Sequence, residues 1–118
     1  MINYTIEEYK MKNGLSGLTA FFQDSNLQLL SDFLVSDVSS FEDWIKESLD
    51  KVLSKESDYE EINCNVCGAE ISYRTTKIID NLSDDDDDYC EVDTVELRQL
   101  IDDWCEKVSE FRAKQGTK

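Results

Sequence analysis

The chain of 118 residues contains no histidine and no proline, only four glycines, and 12 basic residues against 27 acidic ones. Each shortage closes a class of function. Without histidine, catalysis would need a carboxylate pair, a lysine or a cysteine nucleophile, and no segment sets a perturbed base beside one, so the chain does not read as an enzyme. Without proline or a glycine-rich linker there is no boundary, and residues 1–118 read as one domain long enough to bury its own core. No apolar run approaches the roughly 20 residues of a membrane span, and the opening MINYTIEEYK lacks the basic-then-apolar order of a signal peptide, so a cytoplasmic location is expected. The shortage of cations leaves a net charge of −15, which opposes binding to nucleic acid and to anionic membranes and favours cationic partners.

Cysteine is present but does not complete a metal site. In a reducing compartment a structural disulfide is not expected, which leaves Cys64, Cys67, Cys90 and Cys105 as metal ligands or buried thiols. C-N-V-C-G at 64–68 has the form of half a tetrahedral zinc site, with a glycine that eases the turn aiming backbone N–H groups at sulfur. The second half is missing, since Cys90 and Cys105 are far apart in sequence and Cys105 lies beside the apolar stripe of a helix. Small buried hydrophobes are the plainer reading, with Cys64 and Val66 on one face of a strand and Cys67 on the other. A redox pair fits less well, because such a pair opens a helix and this one sits in a strand-like stretch. No metal and no cofactor is expected.

The hydrophobic pattern predicts an α+β fold, an antiparallel sheet of about five to six strands with two amphipathic helices packed mainly on one face. Residues 1–11 alternate through Tyr4 and Ile6, then Tyr9 and Met11, and the slip at Glu7-Glu8 predicts a bulged strand. N-G-L-S-G at 13–17 is a turn, Leu18, Ala20 and Phe22 form one face of a second strand with Phe21 on the other, and Q-D-S-N at 23–26 turns again. Residues 27–38 carry both periods; the β-branched residues and S-D-V-S-S favour a strand ending at Val38.

Two helices are clearer. Ser39 with Glu42 has the capping-box spacing, and Phe41, Trp44, Ile45, Leu49, Val52 and Leu53 share a face; Asp93 with Glu96 repeats the box before Leu97, Leu100, Ile101, Trp104, Val108 and Phe111. Both tryptophans are expected to face the sheet. Between the helices, Ile62, Cys64 and Val66 alternate, then Ala69, Ile71 and Tyr73 in the other phase, with a slip at Gly68, a turn at R-T-T and a return strand at Lys77-Ile78-Ile79.

The connection after that strand reads S-D-D-D-D-D-Y-C at 83–90. Five adjacent carboxylates within about one Debye length, roughly 8 Å at physiological salt, act on an approaching cation as one strongly charged patch. Three readings are open: a solvated loop that keeps a sheet edge from pairing, a contact for a basic partner, or a divalent-cation site. The cation site lacks the alternating ligands, turn glycine and distal glutamate of a calcium loop.

The succession EINCNVCGAEISY, TKIID, an acidic patch and VDTVELRQLIDDWCEKV resembles the small acidic immunity proteins of bacterial contact-dependent inhibition and related polymorphic toxin systems. A hairpin, an acidic connection and a final helix of pattern E-L-x-x-L-I-x-x-W, here Glu96 to Trp104, recur in them, and the segment 33–45 with its S-F-x-x-W-I is similar too. The resemblance covers most of residues 33–111. It implies a cytoplasmic protein without catalytic residues that binds one cognate toxin, often a basic nuclease, and covers its active site. The partner-binding residues expected on this reading are Asp84, Asp85, Asp86, Asp87, Asp88 and Tyr89. The competing expectation is a zinc-binding or acidic adaptor that uses the C-x-x-C pair and the aspartate-rich loop.

Overall fold

A computed structural model describes residues 2–84 and 88–115. Strands β1 (Tyr4–Lys10) and β2 (Ser16–Phe22) form an antiparallel hairpin. Gly14 supplies the positive φ of +85° that the connecting turn requires, and the Asn13 side chain accepts from the Leu15 amide at 3.0 Å. The expected bulge is absent: Glu7 faces Thr19 and Glu8 faces Leu18 in an unbroken register. The polarity slip has another cause. Beyond Ile6 the β1 residues Glu7 to Lys10 are exposed on both faces of the strand, so side-chain polarity no longer reports the pleat.

A 3₁₀ turn, Ser25–Leu27, is capped by Asp24 through the Asn26 amide at 2.9 Å. The next stretch is helical and not the expected strand: α1 (Leu29–Asp32), a π-helical segment (Phe33–Val38) and α2 (Ser39–Leu53) follow one another directly. The period that wins is the one that buries most, because Leu30, Phe33, Leu34 and Val38 are all fully enclosed while Val35 of the alternating set stays exposed. β-Propensity is only a weak prior against such burial. The wider π turn brings Asp37 to the inside as well.

Consequently Ser39 does not start a helix. Val38 before it is already helical, no side chain caps α2, and the Ser39 hydroxyl donates back to the Leu34 carbonyl at 3.2 Å. The helix is instead kinked at Phe41 (φ −127°, ψ 33°). Beyond the kink Ile45, Leu49 and Val52 define the buried face. Trp44 lies about 100° round the axis from Ile45, remains 44 % exposed and meets Phe41 edge-on, with ring centroids 5.9 Å apart. The expectation that both tryptophans face the sheet therefore fails for Trp44, whereas Trp104 is buried, at 2 % exposed.

Four antiparallel strands complete the larger sheet in spatial order β3 (Tyr59–Asn63), β4 (Cys67–Ser72), β5 (Thr75–Asp80) and β6 (Tyr89–Asp93). The phase slip read at Gly68 is in fact a chain reversal at residues 64–66, where the Cys64 amide donates to the Cys67 carbonyl at 2.9 Å. C-x-x-C thus spans a hairpin turn, not the middle of a strand. Asp93 caps α3 (Thr94–Gln115) through the Glu96 amide at 3.0 Å, as the box spacing predicts. Thr94 then fixes the helix start to the sheet: its buried hydroxyl donates to the Ser72 carbonyl at 2.6 Å and shares a 2.8 Å hydrogen bond with the Thr76 hydroxyl.

The fold is α+β, with six strands among the described residues, in a two-stranded and a four-stranded antiparallel sheet. Helix α2 lies over β3 and β4, and α3 over β5 and β6, on the same face of the larger sheet. Ile62, Ala69, Ile71, Ile78, Cys90 and Val92 turn inward to meet Leu49, Leu97 and Ile101. Among the described residues no helix is long and apolar enough to cross a membrane.

Candidate functional site: an acidic surface

The aspartate run lies in the connection between β5 and β6. Asp84 and Asp88 are exposed, whereas Asp85, Asp86 and Asp87 lie outside the described residues. Backbone hydrogen bonds close the base of this loop, from the Asp80 amide to the Asp88 carbonyl and from the Asn81 amide to the Val66 carbonyl, each at 3.0 Å. Asp80 turns the chain by accepting from the Leu82 amide at 2.9 Å, and the Ser83 hydroxyl donates to the Asp88 carboxylate. Tyr89 opens β6 on the face opposite buried Cys90. Its ring carries the Lys77 ammonium, 4.1 Å from the centroid.

Negative charge elsewhere on the molecule is treated differently. Along the seam between α2 and α3, Lys46 pairs with Glu42 at 2.8 Å and lies 3.7 Å from Asp102, while Arg98 reaches Asp102 at 2.5 Å and Asp50 at 2.9 Å. The hydrogen bond from Lys46 holds the Glu42 carboxyl below its usual range. These cations are committed to holding two helices together. On the outer face of the four-stranded sheet the register sets Glu61 opposite Glu70, Glu70 opposite Lys77, and Lys77 opposite Glu91. Sequence reasoning missed this row, because only the strand pairing brings the four residues into line.

The cysteine turn is arranged around a carboxylate. Buried Asp37 accepts the amides of Asn65 and Val66 at 3.1 Å each on one oxygen and that of Cys67 at 2.7 Å on the other. The N–H groups that would steady thiolates on a metal are already occupied. All four thiols are pushed up, chiefly by desolvation: Cys64, Cys90 and Cys105 to about 11 and Cys67 to about 12, with Asp37 adding to the rise at Cys64 and Cys67. A zinc site needs thiolates, so this setting opposes the adaptor reading. Among the described residues no three histidine, cysteine, aspartate or glutamate side chains gather as a metal site.

The same shifts predict alkaline sensitivity. Burial also raises Tyr4, whose hydroxyl donates to Asp103, to about 12. These groups ionise at higher pH in the folded chain than in the unfolded one, where thiols titrate near 8.5 and tyrosine near 10. Their stabilising contribution is therefore complete below those unfolded values and is lost as pH climbs through 11 to 12. Melting temperature should decline steadily from about pH 9 upward. A flat profile across that window would mean that the thiols and Tyr4 are not shielded.

The fold and its surface define an acidic α+β protein whose larger sheet is covered by helices, among the described residues, on one face only. No protein-family model and no solved structure matches the chain. A protein of Bacillus cereus named an immunity protein is 42 % identical over 87 residues, which is 73 % of this chain and 74 % of that protein. The chain belongs to this family of immunity proteins.

Proposed function

We propose that the protein neutralises a cognate bacterial toxin of basic, nuclease type from a polymorphic or contact-dependent inhibition system, acting as a cytoplasmic inhibitor without catalysis of its own. The observation that carries this reading is the 42 % identity to an immunity protein. The net charge of −15 supplies the mechanism. A nuclease presents lysine and arginine to a phosphodiester backbone, and an inhibitor that offers carboxylates in the same places uses the enzyme's own field. Asp84, Asp85, Asp86, Asp87, Asp88 and Tyr89 are the contact residues of this proposal. Steering by such a patch raises association by roughly 10 to 10³-fold before any specific contact forms.

The test is a binding titration against the toxin encoded beside this gene, at low and physiological salt, with the wild type and a variant carrying asparagine at positions 84–88. In the free protein the carboxylates repel one another, so stability should be unchanged or slightly raised. Association should slow and its salt dependence flatten. Equal affinity and equal salt slope for both proteins would reduce the aspartate run to a solvated loop.

A further inference from the structure

We propose that the outer face of the four-stranded sheet is the surface that receives the toxin, that its occupant is a protein surface bearing lysine and arginine side chains, and that Tyr89 lies at the centre of the contact. This placement rests on the immunity reading and adds where the contact lies. The inward residues Ile62, Ala69, Ile71, Ile78, Cys90 and Val92 are buried beneath α2 and α3, whereas those of the opposite parity, from Tyr59 and Glu61 to Glu91 and Asp93, stay exposed or half-buried except Gly68, against which the Asn63 and Asn81 side chains lie.

The charges on this face are not arranged for folding. Glu61 stands directly opposite Glu70, a cross-strand pairing that costs stability. Glu61 accepts a hydrogen bond from the Tyr59 hydroxyl at 2.9 Å, but neither Glu61, Glu70 nor Glu91 has an ion-pair partner among the described residues. Lys77, set between Glu70 and Glu91 by the register, turns its ammonium onto the Tyr89 ring instead. On the α2–α3 seam, by contrast, Lys46 and Arg98 are matched to Glu42, Asp50 and Asp102. The α2–α3 seam thus carries matched charge, whereas the Glu61–Glu70–Glu91 row of the sheet face has no ion-pair partner among the described residues.

Size and chemistry join the sheet face to the described ends of the aspartate loop, Asp84 and Asp88. Four strands about 4.8 Å apart and five residues long, at about 3.4 Å each, present roughly 300 Å². A stable contact takes about 800 Å² from each partner, so the sheet needs the neighbouring loop to make one. The two meet at Tyr89, whose register row continues to half-buried Ile79, and Leu82, three residues further along the chain from Ile79, is 73 % exposed. This apolar, aromatic spot adjoins the Glu61–Glu70–Glu91 row through β6 and exposed Asp88 through the chain, the pattern of an anchor ringed by polar groups. Lys77 occupies the ring face that a toxin cation would take, and its own charge repels that cation.

Two opposite-signed variants test the placement against the toxin encoded by the adjacent gene. Glu70→Gln with Glu91→Gln should slow association about tenfold at low salt, while Lys77→Met should tighten binding several-fold. Glu7→Gln with Glu8→Gln removes the same charge from the β1–β2 hairpin and should stay within about twofold of wild type. Unchanged melting temperatures establish that each variant is folded. The proposal is overturned if the sheet and hairpin pairs slow association equally, because the effect then belongs to net charge and not to this face, or if Lys77→Met weakens binding. A folded wild type that does not bind the toxin at all overturns the immunity reading, and this proposal with it.

Discussion

Replacing Trp104 with alanine is expected to remove about 3 to 5 kcal/mol of folding free energy, whereas the same replacement at Trp44 costs under about 1 kcal/mol. Both residues sit on amphipathic helices in similar phrases, E-D-W-I at 42–45 and D-D-W-C at 102–105, so the contrast comes from packing and not from sequence context. Trp104 is among the largest fully enclosed side chains, within the stripe of Leu97, Leu100 and Ile101 that seats α3 on the sheet. Truncation there opens a cavity that neighbours on a helix and a sheet cannot both move to fill. Its indole N–H has no acceptor among the described residues, so no hydrogen bond is lost with it. Trp104→Phe should therefore recover most of the stability, since the phenyl ring keeps much of the packing and removes a desolvated donor. Trp44, half in water and touching Phe41 edge-on, leaves little behind when cut. Urea denaturation of the three variants measures the difference, and emission from the Trp44→Phe protein should be blue-shifted relative to that from Trp104→Phe. Equal losses at the two tryptophans would contradict the helix orientations.

The parts of the fold legible in sequence are those decided by neighbours along the chain. The Asp93–Glu96 cap and the α3 stripe need only one turn of helix and a regular spacing, and both are present in the structure. The β1–β2 hairpin is legible for the same reason, with Ala20 and Phe22 inside and Phe21 outside. Residues 29–38 are ambiguous in sequence because two periods overlap there, and what decides between them is the enclosure of Leu30, Phe33, Leu34 and Val38 by distant segments. The β3–β4 turn is hidden because Cys64-Asn65-Val66 contains neither glycine nor proline; an acidic side chain from another element holds it. Of the candidate site, the aspartate run is visible as composition alone. The Glu61–Glu70–Lys77–Glu91 row and the Lys77 ammonium over Tyr89 depend on strand register, which a single sequence does not display.

Asp37→Ala should cost a comparable amount, about 3 to 5 kcal/mol, although aspartate at an average position contributes little. The side chain is 0 % exposed and its two oxygens receive three amides from a turn 28 to 30 residues further along the chain. Hydrogen bonds to an ionised acceptor are worth roughly 1.5 to 3 kcal/mol each, and the Cys67 amide, the most enclosed of the three, has no route to water once the carboxylate is gone. Asp37→Asn keeps the shape but presents an NH₂ group to donors on one side, so at least one amide meets a donor where it had an acceptor. About half the alanine effect, roughly 2 kcal/mol, is expected. Beyond global stability, hydrogen exchange at amides 65–67 should be slow in the wild type and fast in both variants. The Cys64 and Cys67 thiols should also alkylate faster, because the carboxylate that helps raise them is removed and the turn that shields them loosens. Cys90 supplies the internal control: its rise comes from burial without Asp37, so its reactivity in the folded variants should stay at the wild-type level. Variants as stable as the wild type, with amides 65–67 still protected, would show that the turn holds itself and that Asp37 is a passenger.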